Sequence, residues 1–383
     1  MGERKILGLI YGYNEGWIAG SYYIENLIAC LLLLPENERP LIKVYVFDSD
    51  SRDKLMNKGF AEQINVILIR DGQNLIDRLI NKVSYWLTER YLIVRGFDQK
   101  VDAIFPNPSA FHFHRMRSPI FWIPDFQDKH FPAFFSVEEI ERRSNSHKAI
   151  AQNKDKFLVL SSKSALTDYK SFYPEQQSRN FVIPFAVTIP DIEGIDRRAV
   201  LEKYRGSADY FICSNQFWAH KGHKTLLQAI AVIKSTGKPI NVVFTGKTED
   251  NRNPHFFGQL LKMIEDLDIS DSVNFLGFIP REDQLVLMSA SIAILQPSQF
   301  EGWSTVVEDA KILNKPLVVS DLPVHKEQLP NDYSGFFETD SIDSLSSKML
   351  EGIEGNITRP NLNYPEFQKD FGRRILAMLD DLS

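Results

Sequence analysis

The chain has 383 residues, 43% of them hydrophobic and 25% charged, with a formal net charge of −6. That length suits two domains, each large enough to bury its own core, and the composition excludes a collagen, a coiled coil and a disordered chain. The two cysteines, Cys30 and Cys213, lie far apart in apolar stretches, which excludes a disulfide scaffold and a cysteine zinc site and fits a reducing compartment.

The N-terminus opens on Glu3, Arg4 and Lys5, then an apolar run from Ile6 to Tyr11. It ends in Gly12-Tyr13-Asn14-Glu15 with no small-residue cleavage site, so it reads as a first strand and not a signal peptide. The longest apolar run, Leu27 to Leu34, is stopped by Pro35. It is far shorter than the roughly 20 residues a bilayer requires. It reads as a buried helix end in a soluble, cytoplasmic protein.

Strand candidates are 5–11, 41–48, 64–70, 101–105, 119–124, 157–161 and 180–185, then 209–214, 240–246, 272–277, 291–296 and 316–320. Amphipathic segments such as 223–236 and 256–268 lie between several of them. Short apolar strands alternating with helices predict parallel sheets covered on both faces, and two such series predict two doubly wound α/β domains. The expected division is 1–187, 188–362 and a terminal helix at 363–383, with Phe367, Phe371, Ile375, Leu376 and Leu379 on one face; packing back on the first domain is one placement, and periodicity does not select the domain it covers.

Charge is uneven across that division. Up to residue 187 there are 24 Lys and Arg against 22 Asp and Glu; after it there are 20 against 28. Neither half is basic enough for nucleic acid.

Two segments carry chemistry. In the first, an apolar strand leads into Gln296-Pro-Ser-Gln-Phe-Glu-Gly-Trp-Ser-Thr-Val-Val-Glu-Asp-Ala-Lys311 and then a helix, with Ser304 or Thr305 as N-cap. A helix N-terminus offers backbone N–H groups and a positive dipole to phosphate. Glu301, Glu308 and Asp309 would repel phosphate unless they address neutral hydroxyls; taken singly, each reads as a solvated acid near a helix start. In the second, Asp209-Tyr-Phe-Ile-Cys-Ser-Asn-Gln-Phe-Trp-Ala-His-Lys-Gly-His223 sets Lys221 just ahead of a helix, where an ammonium suits a diphosphate. His220 and His223 have metal-like spacing but no third ligand in sequence, and read as surface or loop histidines.

Both segments resemble the donor-binding half of glycosyltransferases of the GT-B fold, in the large retaining family 4. That family carries two Glu separated by seven residues. Glu301 matches the first and Asp309 occupies the second, with Glu308 beside it. The family's Arg, five residues before its Lys-Gly, is Gln216 here, which leaves Lys221 as the main cation. Asp321-Leu-Pro-Val-His-Lys-Glu327 resembles the segment after the next strand. In the first half, Gly20-Ser21-Tyr22-Tyr23 is similar to the glycine-containing loop that opens the first helix near the donor phosphates or acceptor. Trp122-Ile-Pro-Asp-Phe-Gln-Asp-Lys-His-Phe-Pro132 resembles a branch that builds bacterial surface polysaccharides. The resemblance runs from about residue 5 to 330.

The resemblance implies two Rossmann-like domains facing across a cleft. It also implies transfer of a sugar from a nucleotide-diphosphate donor to a glycan or lipid-linked acceptor, with retained configuration and no metal or other cofactor. Lys221 and the N–H groups at Gly302, Trp303, Ser304 and Thr305 would meet the diphosphate, with Gln216, Gly20 and Ser21 nearby. Glu301 would hold sugar hydroxyls, Asp309 or Glu308 the ribose, and the Gly277-Phe278-Ile279 turn the base. Asp125 and His130 are expected on the acceptor side, in the first domain. Peripheral association of that domain with the inner face of a membrane is compatible with a lipid-linked acceptor. An epimerase of the same fold and a non-catalytic nucleotide-sugar binder are the rival readings. Asp48-Ser49-Asp50 imitates the metal-nucleotide signature of the GT-A fold but reads as a loop acid pair. Gly12, Gly16 and Gly20 do not make the dinucleotide pattern Gly-x-Gly-x-x-Gly.

Overall fold

In a computed structural model the described residues are 4–14, 18–69, 75–88, 101–107, 118–192, 194–204, 209–250 and 252–382. Glu3, Glu15, Gly16 and the end of the predicted third strand at residue 70 lie outside them. The chain forms two compact units. The first comprises 1–126, 137–188 and 365–383, the second 127–136 and 189–364. Residues 127–136, expected in the first domain, therefore join the second.

The first unit holds seven parallel strands: β1 (Ile6–Ile10), β2 (Leu41–Val46), β3 (Asn65–Leu68), β4 (Ala103–Phe105), β5 (Ser118–Ile123), β6 (Phe157–Leu160) and β7 (Arg179–Val182). Their order is β3-β2-β1-β4-β5-β6-β7. β1 lies between β2 and β4, with Leu7 opposite Ile42 on one side and Ala103 on the other. Leu7, Leu9, Val44 and Leu158 are wholly buried, as strands covered on both faces must be. The run Leu27–Leu34 belongs to the helix Ile18–Leu32 and its end; Leu27, Ile28 and Leu31 are buried in the core.

The terminal helix Tyr364–Asp381 packs within the first unit along the Ile18–Leu32 helix. Phe371 meets the Tyr23 ring at 5.9 Å, and Gln368 donates to the Val187 carbonyl at 2.8 Å. Phe371, Ile375 and Leu379 are buried as expected, with Met378 beside them. Phe367 and Leu376 are only half-buried.

The second unit has six parallel strands: β8 (Phe211–Ser214), β9 (Val242–Thr245), β10 (Val273–Gly277), β11 (Ile294–Gln296), β12 (Leu317–Ser320) and β13 (Phe336–Phe337). The order is β10-β9-β8-β11-β12-β13. β13 escaped sequence reading because two residues carry no periodicity. The other twelve strands fall where the short apolar runs placed them, their ends shifted by up to three residues. The helices His223–Ser235 and Phe256–Asp266 match two of the amphipathic segments.

Both sheets run third-second-first-fourth-fifth from one edge, the doubly wound order. Its reversal point lies beside the first strand, and ligands of such sheets bind outside the carboxyl ends of the strands there. That point is β1/β4 in one unit and β8/β11 in the other.

Candidate functional site

The loops after β8 and β11 carry the two motifs and are locked together at the reversal point. Gly222 has φ +72, and a Cβ there would lie 1.8 Å from the Pro297 carbonyl oxygen. Only glycine allows that approach. Gln299 N–H donates to the His220 carbonyl at 2.8 Å, and Asn215 donates to Gln296 at 2.8 Å. These contacts bring Lys221 Nζ to 2.7 Å from Glu301 Oε1. The same oxygen accepts from Gln296 and Ser298, each at 2.7 Å. Lys221 and Glu301 are thus one preformed ion pair, with side chains 14% and 9% exposed.

Ser304 is the N-cap of the helix Thr305–Ile312, its hydroxyl accepting from Val307 N–H. Its own N–H is committed to Gln328 at 3.1 Å. The N–H groups left for an anion are those of Thr305 and its successor, which have no partner one turn back in the helix. Thr305 and Gly302 are half-buried and Trp303 is buried.

The two acids inside that helix are not solvated. Glu308 is wholly buried; it pairs with Lys311 at 2.8 Å and accepts from Gln328 and the Tyr364 hydroxyl. A carboxylate so saturated is structural, which removes Glu308 from the expected ribose set. Asp309 is held by both terminal nitrogens of Arg281, one at 2.8 Å. Arg281 follows the turn expected to read a base. There Gly277 has φ +68 and accepts from Gly246 N–H at 2.9 Å, Phe278 is exposed and Ile279 half-buried. Arg281 had no sequence signal, because neither period nor motif marks it.

The histidines are buried and not on the surface. His220 lies 2.6 Å from the Gln127 amide nitrogen, and His223 stacks on Phe217 at 4.5 Å. Burial is the main cause pushing the His220 pKa down to about 2, aided by Lys221 and Arg252. Burial, with Lys221, takes His223 down to about 3. Both are neutral imidazoles. Among the described residues, no cluster of three His, Cys, Asp or Glu side chains could hold a metal. Asp48 of the Asp-x-Asp pair is the N-cap of the helix Ser49–Met56 and accepts from Ser51 N–H at 2.7 Å.

Residues 127–136 bring three further groups, Gln127, Asp128 and His130, into the second unit. Gln127 accepts from Arg252 at 3.1 Å, and the Arg252 guanidinium lies over Trp218 at 4.7 Å. A second cation therefore stands near the Lys221 loop, where Gln216 is half-buried. His130 is exposed and its ring lies 4.9 Å from Phe300, beside Glu301. It sits in the second unit, contrary to its expected place in the first. Asp128 is 1% exposed, and neither of its carboxylate oxygens has a hydrogen-bond partner.

In the first unit, a cavity of about 320 Å³ opens at the β1/β4 reversal point. Gly20 and Ser21, expected in a loop, line it from the opening turn of the first helix. Ser21 donates to the Gly12 carbonyl at 2.8 Å and accepts from Asn14 N–H at 3.1 Å. Asn107 also lines the cavity, is 4% exposed, and has no hydrogen-bond partner for either amide atom. A lone Asn after a strand gives no sequence signal; only burial marks it. Asp125 is half-buried just beyond β5.

Residues 200–368 match the model of a family described as glycosyl transferases group 1. The matched residues lie almost wholly in the second unit. The O-antigen chain mannosyltransferase RfbU of Salmonella typhimurium is 28% identical over 123 residues, covering 32% of this chain and 33% of that protein. The chain thus spans about a third of the length of that curated relative. The Anabaena HepE protein, solved with UDP and glucose, superposes with a TM-score of 0.67 at 16% identity, over 99% of this chain and 100% of that one. Sucrose-phosphate synthase of Thermosynechococcus elongatus gives 0.64 at 15% identity, over 99% and 95%. WaaG, a glycosyltransferase of lipopolysaccharide biosynthesis, gives 0.59 at 12%, over 98% and 95%. At such identities the likeness establishes the fold. It is GT-B.

Proposed function

We propose that the protein is a retaining glycosyltransferase that moves a sugar from a nucleotide-diphosphate donor to a hydroxyl of a glycan or lipid-linked acceptor. The observation that carries this reading is the Lys221–Glu301 pair, held at the β8/β11 reversal point by the Gly222–Pro297 approach. A cation and a carboxylate are there placed to receive a diphosphate and a sugar hydroxyl side by side. The curated relative and WaaG, both named for surface-glycan assembly, support the acceptor class, and HepE, solved with UDP, supports the donor class.

In the proposed reaction the bond from the anomeric carbon to the phosphate oxygen breaks, and its electron pair stays on the diphosphate. The acceptor oxygen bonds to the same face of the sugar and its proton passes to the departing phosphate. Lys221, Arg252 and the N–H groups at Thr305 stabilise the developing charge, the term that usually dominates such catalysis. Glu301 orients Lys221 and accepts from a sugar hydroxyl. The Asp309 carboxylate keeps lone pairs for the ribose beyond those given to Arg281. The Asn107 amide can donate to and accept from a sugar diol in the first unit. No metal enters this scheme, so turnover in excess EDTA should be unchanged. A cytoplasmic location, where nucleotide sugars are made, belongs to the same reading.

The test is a thermal-shift panel of UDP, GDP, ADP and dTDP and their sugars, followed by transfer assays with the donor that binds. Binding of one nucleotide raises the melting temperature in a concentration-dependent way. Lys221→Met should lower kcat at least a hundredfold with the fold intact. Turnover close to wild type in that variant rejects the diphosphate role. Interconversion of the donor sugar without acceptor shows an epimerase instead. Binding without transfer or donor hydrolysis shows a non-catalytic binder.

A further inference from the structure

We infer that His325 is a positioning residue for Glu301, acting through the short helix Pro323–Gln328, which clamps the loop that carries Glu301 at both ends. No atom of the segment 321–327 enters the proposed reaction, yet its polar side chains are spent on that loop. The root of the helix is tied down by Asp321, which accepts from the Thr339 N–H at 3.0 Å and from its hydroxyl at 2.9 Å. His325 and Gln328, three apart, share one face of the helix and are both buried. Gln328 pairs twice with the Ser304 backbone, accepting from its N–H at 3.1 Å and donating to its carbonyl at 2.9 Å. His325 reaches the other end in two steps. Its Nδ1–H donates to the Ser320 carbonyl at 2.8 Å, and the Ser320 hydroxyl donates to the Ser298 carbonyl at 2.6 Å. The Ser298 hydroxyl then donates to Glu301 Oε1 at 2.7 Å, the oxygen that also receives Lys221. Ser298 and Ser304 stand three residues before and after Glu301, so the carboxylate lies mid-way along a span held at each end.

The chemistry of the ring separates this role from packing. A carbonyl can only accept, so the Ser320 contact fixes the proton on Nδ1. Nε2 is then a bare lone pair, buried without a hydrogen-bond partner. Such an acceptor costs stability that a hydrocarbon side chain of the same volume would not. Burial holds the ring's pKa below its ordinary value and keeps it neutral. What histidine supplies here, and leucine could not, is the Nδ1–H bond. Its reach to Glu301 matters because a displacement of about 1 Å at a reacting group can lower a rate about a hundredfold. The inference rests on the reading of Glu301 as the partner of a donor-sugar hydroxyl.

Hydrogen exchange and kinetics of two full-length variants test it. His325→Leu keeps the volume and removes the donor, whereas the amide of His325→Asn keeps a donor in the place of Nδ1–H. In His325→Leu the amides of the 297–304 loop should exchange about tenfold faster, with the melting temperature unchanged. Its kcat should fall about tenfold or more, with donor KM and nucleotide affinity within about twofold of wild type. His325→Asn should bring both loop exchange and kcat back to within about threefold of wild type. Should His325→Leu fail to fold, Ser320→Ala, which cuts the link to Ser298, carries the same expectation. A folded variant with wild-type loop exchange overturns the clamp. Faster exchange at wild-type kcat overturns its bearing on Glu301. A His325→Asn chain as slow as His325→Leu assigns the ring to packing and also overturns the inference. A wild-type chain that turns over no donor rejects the transferase reading instead, and loop exchange still decides the clamp.

Discussion

At the scale of residues, the two acids of the Thr305–Ile312 helix, both buried, divide their work by partner. Glu308 faces inward to Lys311, Gln328 and Tyr364, whereas Asp309, one residue on, meets Arg281. Breaking a buried pair by removing one partner leaves an uncompensated charge and costs about 3–5 kcal/mol. Lys311→Met should therefore lower the stability of the second unit by that amount in urea denaturation, with nucleotide affinity of the folded fraction unchanged. Arg281→Ala, which likewise leaves the buried Asp309 carboxylate unpaired, should lower stability too and in addition weaken nucleotide binding about tenfold by calorimetry, or about 1.4 kcal/mol. Glu301→Gln should lose transfer while keeping nucleotide affinity. Lost affinity would instead make Glu301's hold on Lys221 the dominant role.

Two close approaches control the elements. At Gly222, φ +72 and the Pro297 oxygen leave no room for a side chain. Gly222→Ala should displace the Lys221 loop and lower turnover more than it lowers global stability, read by comparing kcat with the melting temperature. At Gly372, in the terminal helix, a Cβ would stand 3.0 Å from the Cys30 carbonyl and 3.1 Å from a Leu34 methyl. Glycine inside a helix otherwise costs about 1 kcal/mol relative to alanine, so its presence here is explained by packing. Gly372→Val, which overfills that crossing, should destabilise the first unit by about 1–3 kcal/mol in denaturant titration.

For the whole molecule, the second unit carries three buried neutral histidines, His220, His223 and His325, their pKa values all pushed down mainly by burial. In the unfolded chain each takes up a proton near pH 6.5. Stability supplied by the neutral forms is therefore complete above that pH and lost as pH falls below it. The loss is about 1.4 kcal/mol per pH unit for each histidine, continuing towards the folded values of about 3 for His223 and 2 for His220. Urea denaturation from pH 7 to 4.5 should show this fall, and His223→Phe should flatten its slope by one proton. A slope that His223→Phe leaves unchanged would contradict the assignment.

The sequence by itself determined both sheets, the order of strands and helices along them, and the position of Lys221 and Glu301, because β-branched runs and loop motifs are local. It also led to an N-cap at Ser304 or Thr305, which depends on neighbours within four residues; that Asp48 caps the next helix came from the structure. Tertiary structure alone decided which acids are buried, that His220 and His223 are core imidazoles, that Gln127 to Ser136 join the second unit, and that Arg281 and Asn107 matter. Each of these depends on residues distant in the chain, such as Arg281 reaching Asp309 or Tyr364 reaching Glu308. The apolar run at Leu27 was the visible hydrophobic feature and is buried. The outward apolar face lies instead on the Leu75–Thr88 helix, whose composition looks ordinary until burial shows which side it turns to the core. Periodicity fixes that a helix has two faces; only packing decides which of them is covered.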